Sequence, residues 1–236
     1  MSQSRWFSAL RWGAWCILVL MVAGPVAWAD GLPRRSLKDT PVSAFSWQGF
    51  YIGDHAGLAT GSTTGDTGFT TTDFDINGSL YGLQAGYNFQ HGSTVFGIEG
   101  SWSHSTVQGN TACVIFLDCK RDVNWVATVV GRVGMAMNRS LLYSMAGVAW
   151  ADVNTNVSFL GTTVLSASET HIGWVAGFGF EHAFTDRIST RIEYAHIDLG
   201  SETHNLAPVG GGPTIPDKVD LKMDTIRLGV NIKLTN

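Results

Sequence analysis

The chain has 236 residues, of which only 14% are charged, and 28 are glycine. Its formal net charge of −4 becomes more negative once Arg5 and Arg11 of the leader are set aside, and no basic cluster interrupts it. These properties exclude a nucleic-acid partner, and the length fits one domain after a short leader.

Residues 1–29 read as a secretory signal. Arg5 and Arg11 form the positive start, residues 13–24 the apolar core, and Ala27-Trp28-Ala29 a small-x-small cleavage site before Asp30. The core of about 12 residues falls short of the ~20 that a spanning helix needs, which argues against an anchor. Cys16 lacks the small preceding residue of a lipoprotein site. Residues 30–46, with Pro33, Pro41 and mixed charges, predict a flexible periplasmic lead. Beyond Asp30 no apolar run reaches ~18 residues, so a membrane role would require a closed β-barrel.

The strongest pattern lies at 81–89. Tyr81, Leu83, Ala85, Tyr87 and Phe89 alternate with Gly82, Gln84, Gly86 and Asn88, the period of a strand with one greasy and one polar face. Strands are predicted at 48–59, 78–90, 94–105, 123–136, 140–152, 170–184, 188–199 and 223–235. Eight is an even number, as closed antiparallel barrels of the bacterial outer membrane have. Tight turns fall at His91-Gly92-Ser93, Asn138-Arg139 and Thr185-Asp186-Arg187. Four long connections, at 60–77, 106–122, 153–169 and 200–222, alternate with them. Short periplasmic turns on one rim and four long extracellular loops on the other give an all-β, eight-stranded, up-and-down transmembrane barrel over 47–236.

Face assignment supports lipid on the greasy side. Phe96, Ile98 and Trp102 oppose Gly97, Glu99, Ser101 and Ser103. Trp125, Ala127, Val129, Val133 and Met135 oppose Asn124, Thr128, Arg132 and Gly134. Trp102, Trp125, Trp150 and Trp174 stand at the long-loop ends, as an interfacial aromatic girdle requires. A soluble lipocalin-like carrier would have to show the Arg and Glu of the other face to water. The fifth strand is apolar on both faces and has no evident orientation. Asp54 falls among Phe50, Ile52, Ala56 and Leu58, where lipid is expected. An early exit into water, a bulge near Gly53 or a shifted register would each account for it.

The inward set holds Glu99, Glu181 and Glu193 with Arg132, Arg191 and Arg227, and Lys233 near the periplasmic mouth. Acids and arginines in balance suit a lumen plugged by ion pairs, since the Arg fork can bond two carboxylates. A narrow conduit gated by exchange of Arg partners is the rival reading. Cys113 and Cys119, six apart in one exported loop, predict a disulfide, and no third ligand makes a metal site of them. A surface receptor capturing haem through His104, His171 or His204 with loop aromatics is a further alternative. No nucleophile with base and orienting acid can be assembled, so no enzyme and no cofactor are expected.

Trp47-Gln-Gly-Phe-Tyr-Ile-Gly53 resembles the W-x-G-F-Y-x-G opening of the small Gram-negative outer-membrane β-barrel (porin-like surface antigen) family. Residues 81–89, Phe96-Gly-Ile-Glu-Gly100, Gly131-Arg-Val-Gly134, Gly173-Trp174, Glu193-Tyr194 and Arg227-Leu-Gly-Val-Asn231 resemble its later strands. The family is similar in fold to the transmembrane domain of outer-membrane protein A. The resemblance implies a place in the outer membrane, contributions to envelope integrity and surface exposure, and outer-membrane lipid and lipopolysaccharide as surroundings. It also implies the barrel-assembly machinery as partner in biogenesis, and loops as the place for any surface ligand. The sequence departs from the family at Asp54, and at Leu234-Thr235-Asn236, where a terminal aromatic is usual.

Overall fold

The computed structural model describes residues 45–68, 70–114 and 117–234. The leader assigned to 1–29 and nearly all of the lead assigned to 30–46 lie outside the described residues. Eight strands follow one another: β1 Gly49–Asp66, β2 Thr71–His91, β3 Thr94–Val114, β4 Leu117–Met137, β5 Ser140–Phe159, β6 Thr162–Ala183, β7 Ile188–Pro208 and β8 Ile215–Lys233. Each pairs antiparallel with the next, and β8 returns to β1, with Ile52 opposite Ile232 and Leu58 opposite Ile226. Closure leaves no strand edge, the only way a sheet can sit in hydrocarbon with its backbone groups satisfied.

The tight turns fall where expected, between β2 and β3, β4 and β5, and β6 and β7. Gly92 and Asn138 take the left-handed backbone there (φ 62° and 55°), a conformation that glycine and asparagine tolerate best. The opposite connections differ from expectation. Most of 60–77, 106–122, 153–169 and 200–222 is strand, continuing each hairpin well past the tryptophans. The strands therefore run 18 to 22 residues, about twice the 9–11 that a bilayer requires. Trp102 and Trp150 lie inside strands rather than at their ends. The barrel has a membrane belt and a protruding storey of comparable height.

The two storeys have opposite polarity, and β2 shows the change. In the belt Tyr81, Leu83 and Phe89 point outward and are more than half exposed, while Gln84 and Asn88 are buried inside. From Leu80 upward the pleat continues unchanged while the chemistry exchanges faces, so that Ile76 and Leu80 are buried inside and Asp73, Asp75, Asn77 and Ser79 face outward. β8 repeats this: Val219, Leu221 and Met223 point in above Asp224, and Ile226, Leu228, Val230 and Ile232 point out below it. The core joins these to Val107, Val123, Val126, Val153, Val175, Ile197 and Leu199, and reaches down into the belt at Val130, opposite Glu99, and Met145, opposite Arg132. The lumen is therefore not plugged by ions alone: the ion pairs lie in the belt, and aliphatic side chains dominate the storey above.

This core also orients β5. Leu141, Tyr143, Met145, Ala149, Ala151 and Val153 point inward, and Leu142, Val148 and Trp150 outward. Both faces are apolar because one meets lipid and the other an aliphatic interior. On β4 a register shift between Val123 and Trp125 turns Asn124 from its expected lumen face, and its side-chain amide donates to Asp152 Oδ2 at 2.6 Å.

Candidate functional site

The chemistry-bearing side chains converge in the lumen of the belt. Glu99 on β3 is the hub: it accepts from Arg132 Nη1 (2.9 Å), Arg191 Nη1 (2.6 Å) and the Tyr51 hydroxyl (2.6 Å). Arg132 reaches on to Glu181 at 3.0 Å, and Arg191 lies 3.6 Å from Glu193, which also takes a hydrogen bond from Arg227. The order Glu181–Arg132–Glu99–Arg191–Glu193–Arg227 is one chain of alternating charge drawn from β3, β4, β6, β7 and β8. Every member is nearly inaccessible. Alternation is what a low-dielectric interior demands, because each buried ion needs its opposite beside it.

Two tyrosines, Tyr51 of β1 and Tyr143 of β5, complete the layer. The Arg132 guanidinium sits between the rings of Tyr143 (4.4 Å to the centroid) and Tyr51 (5.2 Å), and the Tyr143 hydroxyl donates to Glu193 at 2.9 Å. The rings lie over Gly179 and Gly86, where an added Cβ would collide with them, so glycine here makes room for an aromatic. Below, Ser189 and Asn231 donate to Glu181. Gln84 links Asn231 to His55, whose other ring nitrogen meets Ser103 Oγ at 2.7 Å. From the sequence only ions are expected in the lumen; Tyr51 and His55 stand in the phase opposite Phe50 and Ile52, a signal that finds them, whereas Tyr143 lies on β5, whose faces the sequence leaves unoriented.

The periplasmic mouth is stopped by Trp47. Its ring packs with Val95, Leu141, Tyr143 and Ala183, its backbone N–H donates to Gln90 Oε1 at 2.6 Å, and its indole N–H to the Asn138 carbonyl at 3.3 Å. Phe45 lies edge-on to it at 5.0 Å, beneath Arg139 and Lys233. Lys233 donates to the Ser46 carbonyl at 2.6 Å. The cavity beside this stopper measures ≈ 20 Å³, room for about one water.

Toward the outer end, where His171 stands opposite Ala151 of the aliphatic core, His171 Nε2 and His204 Nε2 face each other at 2.8 Å, with Thr155 Oγ1 on His204 Nδ1 at 3.2 Å. Arg121 closes the top, bonded to Asp217 at 2.9 Å and Thr63 at 3.0 Å. Both histidines stand beyond the tryptophan level, outside the membrane-spanning segments. There burial holds His204 down at about 4 and lowers His171 as well, each ring being further discouraged from charging by Arg121. His104 is on the outer wall against the Tyr81 ring, 5.0 Å away. His171 and His204 thus meet inside the barrel, while His104 stands apart from them on its outer wall.

Trp102, Trp125, Trp150 and Trp174 all point outward, with Trp102 and Trp174 about half exposed. Trp174 lies 5.4 Å from the His196 ring, and His196 and Tyr194 both bond Asp224 Oδ1 (2.8 and 2.7 Å), so polar groups begin at tryptophan height. Cys113 and Cys119 are joined, tying β3 to β4 near the hairpin tip.

Comparison with known proteins agrees with this geometry. The model of the outer membrane protein beta-barrel domain family matches residues 16–233. The chain is 33% identical over 170 residues to the 22 kDa outer membrane protein of Rhizobium leguminosarum bv. viciae, covering 72% of each. It is 32% identical over 212 residues to the 31 kDa outer-membrane immunogenic protein of Brucella melitensis biotype 1, covering 82% of this chain and 86% of that one. Among solved structures, the outer membrane protein OprG from Pseudomonas aeruginosa aligns with a TM-score of 0.47 at 12% identity, over 80% of this chain and 98% of that one. A barrel greasy outside and ionic within at its tryptophan belt, in a chain so matched, is an outer-membrane protein, and the chain belongs to the outer membrane protein β-barrel domain family.

Proposed function

We propose that this protein acts as a closed, surface-exposed structural element of the outer membrane, contributing to envelope integrity and surface identity, with no transport through its lumen. The observation that carries the reading is the stacking of the interior. Trp47 stops the periplasmic mouth, an ion-pair layer fills the belt, aliphatic side chains fill the storey above, and Arg121–Asp217 closes the top. Passage of an ion would require breaking several buried salt bridges and then crossing an apolar layer, two barriers of opposite chemistry in series. The polar protruding hairpins present a surface to the exterior, and the related Brucella proteins carry the description immunogenic.

The test is planar-bilayer recording of the folded protein beside a strain lacking it. Absence of stable openings, together with greater sensitivity of the deletion strain to detergent, supports the reading. Stable conductance would replace it with a channel. An intact deletion phenotype would leave surface display without an envelope role.

A further inference from the structure

β1 keeps an unbroken register against both neighbours, through Asp54 and beyond. The join between β6 and β7 is different. It is regular from Ala183–Ser189 up to Trp174–Asp198 and resumes at Ser166–Ala207, and between them the register breaks. β7 also slips against β8 between Asp198 and Ser201, around Gly200, which takes the left-handed backbone (φ 61°). Within this stretch the two strands carry the same four residues, Ser168-Glu169-Thr170-His171 on β6 and Ser201-Glu202-Thr203-His204 on β7. Residues two apart in a strand share a face, so each strand sets a Glu-x-His pair in the inward phase. The two imidazoles are completely buried and face each other Nε2 to Nε2 at 2.8 Å. Glu202 is exposed although Val219, its register partner on β8, is fully buried. The break therefore admits solvent to the inner face at this point.

We propose that His171 and His204, with Glu202 as third donor, form a binding site for a divalent transition-metal ion of the zinc class, reached from outside through the break between β6 and β7. Ligation needs both Nε2 atoms free of protons, with each ring carrying its proton on Nδ1. His204 Nδ1 meets the Thr155 hydroxyl at 3.2 Å, which can accept as well as donate, and His171 Nδ1 is buried with no hydrogen-bond partner. Zn–N bonds of about 2.0–2.1 Å at a tetrahedral angle hold two nitrogens roughly 3.3 Å apart, so the rings part by about half an ångström. That movement is small where the register is already broken. Among the described residues no three such donors are gathered in advance, so Glu202 must rotate inward to complete the set. No hydrogen bond or ion pair holds it back, and its charge already acts on His171. Arg121, whose charge acts on both rings, is neutralised by Asp217 at 2.9 Å. Imidazole nitrogens select zinc or copper over calcium and magnesium, which take oxygen ligands. An ion bound here ties β6 to β7 where their ladder does not.

The experiment titrates the full-length protein, folded in detergent, with zinc, calcium and magnesium chlorides in a calorimeter. A single zinc site per chain is expected, with no uptake of calcium or magnesium at the same concentration. His171→Asn/His204→Asn should abolish zinc binding, and His104→Asn, on the outer wall, should leave it unchanged. The heat-modifiable gel shift checks that each variant is folded. Glu202→Gln is expected to keep the site at lower affinity. Thr155→Val should weaken it about 10–100-fold, the usual cost of removing the partner of a metal-bound histidine. These two variants keep both rings and carry the test if the double variant does not fold. A folded wild type that binds no zinc, zinc binding that survives in the double variant, or equal uptake of calcium would each overturn the proposal. So would affinities unchanged in Glu202→Gln and Thr155→Val, which would place the ion elsewhere.

Discussion

The belt and the protruding storey are made by the same eight strands and obey opposite rules. In the belt, lipid surrounds the wall, so Leu83, Val129 and Leu228 face out and Glu99, Arg132 and Arg227 face in. Above it water surrounds the wall, and the arrangement becomes that of a soluble barrel, with Ile76, Leu221 and Met223 inside and Asp75, Lys222 and Asn77 outside. The reversal costs no change of register on β8, where alternation continues unbroken through Asp224, Thr225 and Ile226. What changes is which of the two phases is apolar. Solvent, rather than strand geometry, sets the assignment of faces, and a single hairpin can change it partway along its length.

The sharpest way to break this contrast is to remove one partner from the belt's interior. Glu99→Ala leaves Arg132 and Arg191 without their shared carboxylate and is expected to cost about 3–5 kcal/mol, the range for breaking a buried ion pair by removing one partner. The matched surface change is Asp186→Ala, which frees the exposed Arg139 (2.6 Å) and should cost under about 1 kcal/mol. Denaturant unfolding, followed by the heat-modifiable shift on gels, measures both. Equal small losses would mean that the ion-pair layer is wet and loose.

A second pair of substitutions tests the boundary itself, on one strand and one face. Leu83→Arg puts a cation into hydrocarbon and is expected to cost about 2–4 kcal/mol near the midplane. Asn77→Arg, three outward positions higher, enters water and should stay within about 0.5 kcal/mol. Comparable penalties at the two sites would place Asn77 inside the bilayer and move the belt upward.

This boundary explains which parts of the fold were legible in sequence. Residues 81–89 lie wholly in the belt, keep one phase, and fix their own faces. The segment 71–80 alternates just as regularly, Phe74, Ile76 and Leu80 against Asp73, Asp75, Asn77 and Ser79. Its phase is inverted and its composition polar, so it reads as a loop to anyone expecting grease outside. The same alternation in Lys218, Asp220 and Lys222 against Val219, Leu221 and Met223 was overshadowed by Pro213 and Pro216. In the belt's interior the six ions stand in the phase opposite the lipid face, so their membership could be read. Their order could not, because it depends on which side chains cross the lumen between strands far apart in sequence. Tyr51 carried a readable signal, being out of phase with Phe50 and Ile52.

Acidification should separate the storeys without any mutation. The His171–His204 bond needs a proton on one Nε2 and none on the other, so a doubly charged pair cannot keep it. Around the pair stand Thr155, Arg121 with Asp217, and Glu202, Asp220 and Asp152 at greater range. His204 is held at about 4 in the folded protein against an ordinary 6.5. The unfolded chain therefore takes up its proton first as pH falls. The stabilisation is complete above pH 6.5, is lost progressively down to about 4, and falls no further below that on account of this group. Hydrogen exchange is expected to show the upper parts of β5 to β8 opening more readily at pH 5 than at pH 7.5, with the belt unchanged. The double variant His171→Asn/His204→Asn should flatten that dependence. A belt that loosened in parallel would show the two storeys to be one cooperative unit.

The smallest effect concerns the hairpin tip of β3 and β4. Cys113 and Cys119 close a short ring, with Cα atoms 5.7 Å apart, and the chain-entropy relation gives such a ring about 2 kcal/mol at most. Little of that should reach the belt, because the upper ladder between β3 and β4 can fray while Gly97–Arg132 and Trp102–Ala127 pairing persists below. Reduction is therefore expected to leave the heat-modifiable transition of the barrel in place and to raise only the rate of protease nicking near the tip. A lowered transition for the whole barrel on reduction would mean that the protruding storey holds the belt closed, reversing the independence that the polarity boundary implies.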